Sequence, residues 1–431
     1  RGEEGCGIVS TDGNELYVAK GEGLVVEVFN ESILKTLKGR NAIGHVRYST
    51  SAKGGLENIQ PLLFRHHTGD FALCHNGNLV NSNELRLSLE LKGSIFQSSS
   101  DTEVFAHLLK REKTKNRTEA IKNALNQIEG AFAFLALMKK QIVIMRDKNS
   151  LRPLSLAKLN GGYVVASETC AFEAVGATFI RDIKPGEILI INDAGKMESS
   201  SYAQKTYKNM CAMEYIYFSR PDSDIEGINV HASRKEAGRI LAREAPVKAD
   251  LVVWVPDSST SAALGYAEAL KIPAEMGLLK NKYIGRTFIQ PSQEMREKGV
   301  KMKLAPVVSI VKGKSVVLVD DSIVRGTTSK RIIKMLRDAG ATDVHMRIAA
   351  PPITHPCFYG VDTSTYEELI AAHHSLDEVQ ALIDADSLAF LSEKGLLEAT
   401  KRTKLCMSCF NGKYPTHTYQ GIEKANKDGK F

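Results

Sequence analysis

No stretch of this sequence is apolar for long enough to cross a bilayer; the longest nearly apolar run, Gly130–Met138, is far too short. No signal peptide is visible, so the default compartment is the cytoplasm, although the chain opens at Arg1 without Met and a leader would not show. Cysteine is sparse and odd in number, seven in all, which argues against a disulfide framework. Only Cys406 and Cys409 form a close pair, as C-x-x-C. Blocks of like charge are missing too. The net charge of +7 is spread along the chain, which is weak evidence for a nucleic-acid partner and fits small phosphorylated ligands equally well. Internal repeats are absent. What is present is an ordinary globular composition, 43% hydrophobic and 25% charged over 431 residues, enough for two or three domains with full cores.

Residues 1–192 alternate short strands, turns and some helices, an α+β pattern rich in antiparallel strands. Expected strands are GLVVEVF (23–29), AIGHVRYST (42–50), GAFAFLALM (130–138), GYVVASE (162–168) and EILIIND (187–193). A helix is expected from Asp101 to Arg111, capped by the Ser and Asp at its start. Residues 193–208 are polar and poor in apolar side chains, which predicts a linker. Beyond it the rhythm changes. ADLVVWV (249–255), GKSVVLV (313–319) and DVHMRIA (343–349) read as buried strands, with helices at 261–270 and 329–340, the latter closed by Gly340. Near-continuous apolar strands alternating with helices predict a parallel sheet covered on both faces, over 209–395. A capping box of Ser375 with Glu378 starts a later helix, and 396–431 is a basic segment with the C-x-x-C and a polar tail.

The sharpest local signal is VVLVDDSIVRGTTS, Val316 to Ser329. A hydrophobic strand ends in Asp320 and Asp321, and a loop of Arg325, Gly326, Thr327, Thr328 and Ser329 leads into a helix. The carboxyl end of such a strand opens onto the crevice where α/β sheets bind ligands. Loop N–H groups and hydroxyls at a helix N-terminus suit a phosphate dianion, and two carboxylates just upstream suit ribose hydroxyls. A lone Asp-Asp pair is more often a turn, but the whole unit closely resembles the phosphoribosyl pyrophosphate (PRPP) motif of type I phosphoribosyltransferases. A second strand ends in Pro256-Asp257-Ser258-Ser259-Thr260, alone a common turn and N-cap. In the resembled family this loop wraps the pyrophosphate and its Mg²⁺. That resemblance assigns Asp257, Ser258 and Ser259 to PRPP and places Ser258, Asp320 and Asp321 near Mg²⁺. It also makes 280–304 a closing flap, with Lys280, Arg286 and Lys303 as phosphate contacts.

The first half carries RGEEGCG (1–7), GHVRYST (44–50), CHNGNL (74–79) and SSSDTE (98–103). Each is weak alone, since Asn-Gly is a common hairpin turn and Ser-Ser-Ser-Asp a common cap. Together and in this order they resemble the glutaminase domain of N-terminal-nucleophile (Ntn) amidotransferases. The resemblance gives Arg47 the glutamine α-carboxylate and Asp101 its α-amino group, with Asn76 and the Gly77 N–H as the oxyanion hole. The family's nucleophile is an N-terminal Cys whose own amino group acts as base. No cysteine here stands in that context. Cys6 follows an R-G-E-E stretch, in which Glu3 stands where Gln is usual, and reads as a small buried residue. The expectation is a chain without its N-terminal segment, using ammonia at most.

Cys406-x-x-Cys409 alone is half a metal site, a redox pair or chance. Strings such as EYIYFSRPDS, GRTFIQPSQ and VDDSIVRGTTS extend the resemblance from Arg1 to about Tyr419, to the glutamine PRPP amidotransferase family. The expected fold is thus an Ntn-hydrolase glutaminase domain followed by an α/β type I phosphoribosyltransferase domain. One branch of that family holds a [4Fe–4S] cluster, and the resemblance assigns its four thiolates to Cys211, Cys357, Cys406 and Cys409. Cys74 and Cys170 have no such match and are expected in the core. The resemblance further implies purine nucleotide inhibitors and a homotetramer. An amidotransferase of the hexosamine or asparagine type fits less well, because Val316–Ser329 belongs to a different synthase. A PRPP-sensing regulator would need a DNA-binding module, and the sequence contains no helix-turn-helix pattern.

Overall fold

A computed structural model describes residues 2, 4–48, 55–281, 304–361, 363 and 365–417. The chain divides into two compact units, Arg1–Cys211 with Cys357–Ser364 and Tyr414–Phe431, and Ala212–Pro356 with Thr365–Lys413.

In the first unit, β1 (Gly5–Thr11) lies between β2 (Leu16–Glu22) and β3 (Asn41–Arg47), antiparallel to both. A six-stranded sheet contains β4 (Leu62–Phe64), β5 (Phe71–Leu79), β6 (Gly130–Met138), β7 (Gln141–Arg146), β11 (Glu187–Asn192) and β12 (Met197–Ser201), in the order β12-β11-β7-β6-β5-β4. A third sheet orders β8 (Ser155–Leu159), β9 (Gly162–Ala166) and β10 (Thr178–Asp182) as β10-β8-β9.

The pleat sorts the side chains of β5 between two cores, because successive residues of a strand point to opposite faces. Phe71 and Leu73 join Phe132 and Phe134 of β6 beneath the helices Ser82–Glu90, Thr102–Arg111 and Arg117–Leu125. Ala72 and Cys74 face the other way and meet Val9, Ile43 and Leu137. The three-stranded sheet thereby covers one face of the six-stranded sheet and the helices cover the other. Phe105 stacks on Phe134 with ring centroids 4.9 Å apart.

The second unit is built on four parallel strands: β15 (Leu251–Trp254), β18 (Ser315–Asp320), β19 (Asp343–Ile348) and β20 (Ser387–Phe390), in the order β15-β18-β19-β20. Two small hairpins join β13 (Asp224–Ile225) to β14 (Ile228–Asn229) and β16 (Leu278–Lys280) to β17 (Leu304–Pro306). Helices at Thr260–Leu270 and Thr327–Asp338 follow β15 and β18, as the apolar-strand rhythm predicts. The capping box at Ser375 and Glu378 is present.

Three expectations are corrected. GLVVEVF does not form a strand. Val25–Val28 is a helical turn in which Glu27 accepts from the Leu24 N–H at 2.8 Å; a short apolar run carries no period that separates the two states. The expected linker 193–208 contains β12, a polar edge strand paired with β11. Asp101 occupies the helix N-cap position without a side-chain capping bond, its carboxylate being engaged elsewhere.

Candidate active sites

In the second unit, two loops meet at the carboxyl ends of adjacent strands. β18 ends at Asp320, and β15 runs into Pro256–Thr260, whose Pro256–Asp257 peptide bond is cis. The Ser259 hydroxyl donates to Asp320 Oδ1 at 2.9 Å, and the Ser258 hydroxyl donates to Asp321 Oδ2 at 2.5 Å. Ser322 donates to the other oxygen of Asp321 at 2.6 Å. Both carboxyl groups are 8% exposed. Burial, and then the Asp321 charge beside it, push the Asp320 carboxyl well above the usual carboxylate range. Burial also raises Asp321, opposed by its two serine hydroxyls and by the Arg234 charge.

Gly326 then turns into the left-handed region at φ 74° and opens the helix Thr327–Asp338. The first-turn N–H groups, at Thr327, Thr328 and Ser329, have no carbonyl one turn back to meet, and Thr327 and Thr328 are exposed. This is the geometry expected of a phosphate cradle. Lys280 at the end of β16 reaches Asp257 at 3.3 Å. Arg286 and Lys303 lie outside the described residues.

Two partners here escaped the sequence reading. Arg325, expected to contact phosphate, is ion-paired with Glu368. Arg234, 5% exposed, donates from Nε to the Tyr215 carbonyl at 2.6 Å and from Nη2 to the Ser219 carbonyl at 2.8 Å. It lines one cavity with Ser258, Ser259 and Asp321. Neither Arg325 and Glu368 nor Arg234 and Asp321 are near in sequence, so only the fold unites them.

In the first unit, Asn76 and Gly77 lie within β5, opposite Ala133 and Phe132 of β6, and not in a hairpin turn. Gly77 has φ 142°, and a Cβ there would stand 2.0 Å from the Ala131 carbonyl oxygen. Asp101 comes to the same strand, accepting the Leu79 N–H at 2.8 Å, and His75 Nδ1 lies 3.4 Å from its other oxygen. Burial alone would raise the Asp101 carboxyl, but His75 and the N–H groups of Leu79 and Thr102 bring it below the usual range. His75 Nε2 sits 3.1 Å from the Ala131 carbonyl, which only accepts, so that nitrogen carries a proton. Arg47 is buried at the end of β3 and reaches the Gly55 carbonyl at 3.4 Å. His75 was missed by the sequence reading, although it adjoins the Asn-Gly pair.

Cys6 sits in the middle of β1, paired with Gly21 and Val46, and is 2% exposed. Burial, and then Glu27, push its thiol up. Cys74 and Cys170 are buried, as expected of core residues, and burial pushes the Cys74 thiol up to about 12. Among the described residues, no group of three or more His, Cys, Asp or Glu side chains is gathered to hold a metal ion. No described helix is long and apolar enough to cross a membrane.

These two sites define a class: an amidotransferase that couples a glutaminase unit to a phosphoribosyltransferase unit. Residues 45–174 match the glutamine amidotransferase domain model and 229–356 the phosphoribosyl transferase domain model. The chain is 58% identical to the amidophosphoribosyltransferase of Bacillus subtilis, over 97% of this chain and 90% of that protein. It is 52% identical to that of Staphylococcus aureus strain MRSA252, over 97% of this chain and 86% of that protein. It is similar to the solved structure of the Bacillus subtilis glutamine PRPP amidotransferase complexed with ADP and GMP, with a TM-score of 0.92 and 57% identity over 97% of this chain and 92% of that one. A structure described as the allosteric regulatory enzyme of purine biosynthesis is similar too, at a TM-score of 0.94 and 57% identity over 98% of this chain and 92% of that one. The chain belongs to the amidophosphoribosyltransferase family, enzymes of purine biosynthesis.

Proposed function

We propose that the second unit displaces pyrophosphate from C1 of PRPP with ammonia to give 5-phosphoribosylamine, and that the first unit releases that ammonia from glutamine. The observation that carries this reading is the tie between loops, Ser259 to Asp320 and Ser258 to Asp321, at the carboxyl ends of β15 and β18. It presents two carboxylates beside a helix N-terminus, the arrangement that holds ribose hydroxyls and a phosphate together. A carboxylate facing C1 opposes the positive charge that develops as pyrophosphate leaves. No protein nucleophile is needed, because positioning suffices.

The oxygen donors of Ser258, Asp320 and Asp321 fit a hard cation such as Mg²⁺, which keeps several waters when bound. Such an ion supplies charge neutralisation to the pyrophosphate leaving group. The hydrogen bonds from Ser259 to Asp320 and from Ser258 to Asp321 support this reading, since they hold these oxygen donors together. Thr327, Thr328 and Ser329 would receive the 5-phosphate through their N–H groups, and Asp257 and Lys280 would line the pyrophosphate side.

In the glutaminase unit, Arg47 and Asp101 would hold the two charged ends of glutamine's amino-acid head, while Asn76 and Gly77 N–H receive the developing oxyanion. Asp101 below its usual range is suited to hold an ammonium group. Cys6 is buried in the middle of β1, which supports a core role for it.

The [4Fe–4S] cluster rests on the sequence match of Cys211, Cys357, Cys406 and Cys409 alone. Iron and acid-labile sulfide content after anaerobic purification decides it. A relative was solved with ADP and GMP, which supports purine nucleotide inhibition here; a homotetramer rests on the family resemblance.

Pyrophosphate release from PRPP and Mg²⁺, once with ammonia and once with glutamine, tests the main reading. Release with either nitrogen source is expected. Release with ammonia but not with glutamine would remove the glutaminase half of the reading and leave the phosphoribosyl half standing. Release with neither would favour a PRPP-sensing protein instead.

A further inference from the structure

In the sequence, Cys357–Gly360 reads as part of the phosphoribosyltransferase half, yet the fold assigns it to the first unit. Its contacts there are specific. The Phe358 carbonyl accepts from Asn78 Nδ2 at 3.0 Å, and the Tyr359 carbonyl accepts from Arg152 Nη2 at 2.6 Å. The Tyr359 hydroxyl lies 2.8 Å from Thr416 Oγ1. Gly360, at φ 89°, comes against the peptide of Gly77: a Cβ there would stand 3.0 Å from the Gly77 oxygen and 3.2 Å from Arg152 Nη2. On its other side the same Gly77 faces the Ala131 carbonyl. Gly77 is thus flanked by two backbones, Gly360 at its carbonyl and Ala131 at its Cα, neither of which leaves room for a side chain.

Arg152 is 3% exposed. A buried guanidinium holds to the hydrogen bonds it can make, and here Nη2 donates to the Tyr359 carbonyl. It stands on the loop after β7 whose neighbour Asp147 accepts the Leu151 N–H, which ties that loop in turn.

We infer that Arg152 is a positioning residue for the glutamine half-reaction: with Asn78 it clamps Phe358–Gly360 against the Gly77 carbonyl and so limits rotation about Gly77, whose N–H receives the oxyanion. This rests on the glutamine-site reading above. An oxyanion donor works by being aimed before the reaction begins, and a strand held on one side only would let the Gly77 peptide rock.

The test uses full-length Arg152→Gln, Arg152→Lys and Asn78→Ala. Three readouts apply: amide hydrogen exchange at 76–79, the glutamine dissociation constant by calorimetry, and ammonia-dependent pyrophosphate release. Loss of a charged hydrogen bond of this kind predicts about tenfold faster exchange at Gly77 and about tenfold weaker glutamine binding in Arg152→Gln. Ammonia-dependent release should stay within about twofold, and Arg152→Lys should recover most of the loss. Asn78→Ala should give the same pattern, smaller, and carries the test if Arg152→Gln does not fold. Unchanged exchange at Gly77 in the variants that fold overturns the proposal, as does ammonia-dependent release that falls in step with glutamine affinity. If the unsubstituted chain does not bind glutamine, the glutamine-site reading fails, while the exchange data still decide the clamp.

Discussion

Arg325, in the loop between β18 and the helix Thr327–Asp338, is ion-paired with Glu368 of the short helix Tyr366–Glu368, with the two side chains 57% and 34% exposed. The same segment seals the loop from below: the Ile370 N–H donates to the Val324 carbonyl at 2.9 Å, and a Cβ on Gly326 would stand 2.8 Å from Ile370 Cδ1. The loop backbone is therefore fixed by hydrogen bonding and contact, whereas its arginine is engaged by an anion that a phosphate would have to displace if Arg325 holds PRPP as proposed.

Glu368→Gln should accordingly lower the KM for PRPP in the ammonia-dependent reaction. A half-exposed pair contributes about 0–1 kcal/mol, so the gain is limited to about two- to fivefold, with kcat unchanged. Initial-rate measurements at saturating ammonia check this. A rise in KM would mean that Glu368 sets the arginine in its binding position instead of competing with phosphate.

Ser259→Ala removes the only side-chain hydroxyl bonded to Asp320 among the described contacts, leaving that buried oxygen with the Asp321 N–H. Losing one such partner costs about 1–3 kcal/mol. Because Asp320 is already raised by burial and by Asp321, the loss should raise it further. The half-saturating Mg²⁺ concentration should rise in Ser259→Ala, most at low pH and less as pH increases, since deprotonation frees the acid to meet the cation. A Mg²⁺ titration of pyrophosphate release at three pH values would expose a pH-independent effect, which this argument does not allow.

The parts of this fold legible in the sequence are those with a local signal. β18 with its two acids and the helix after it stands as read, because strand hydrophobicity and loop chemistry coincide within a few residues. β12 was not legible, because MESSS has no apolar alternation and gains its strand state only from pairing with β11. The return of Cys357–Gly360 to the first unit and the pairing of Arg325 with Glu368 are contacts between distant residues, on which local pattern is silent. His75 is intermediate: it adjoins the recognised Asn-Gly pair, but its role against Asp101 depends on the alternation that turns it toward the helix Thr102–Arg111.

Glu103 offers a pH prediction. Burial would raise its carboxyl, but His107, the Ser98 hydroxyl and the N–H groups of Gln97 and Ser98 bring it down to about 2. With a folded value of about 2 and an unfolded value near 4.5, the carboxylate stabilises the fold fully above about pH 4.5, and that contribution is lost as pH falls toward 2. Glu103→Gln should cost about 2 kcal/mol at pH 7 and progressively less below pH 4.5. Urea unfolding at pH 7 and pH 3 measures the difference, and an equal cost at both would remove the charge from the explanation.

Gly77→Ala separates the two halves of the enzyme. A methyl group at this position would lie 2.0 Å from the Ala131 oxygen, at a φ of 142° that favours glycine, so the strand must shift rather than absorb it. Ala131 cannot yield easily, because its own carbonyl is bonded to His75, which in turn faces Asp101. The displacement therefore passes to the residue proposed to hold the glutamine ammonium group as well as to the oxyanion donor. Glutamine binding should weaken by more than about tenfold, and the first unit should unfold about 1–3 kcal/mol more easily. The acids and loops of the proposed PRPP site belong to the other unit, so ammonia-dependent pyrophosphate release should persist. Calorimetry with glutamine and the ammonia assay on one preparation read both halves; loss of both activities would show that the strain does not stay within the glutaminase unit.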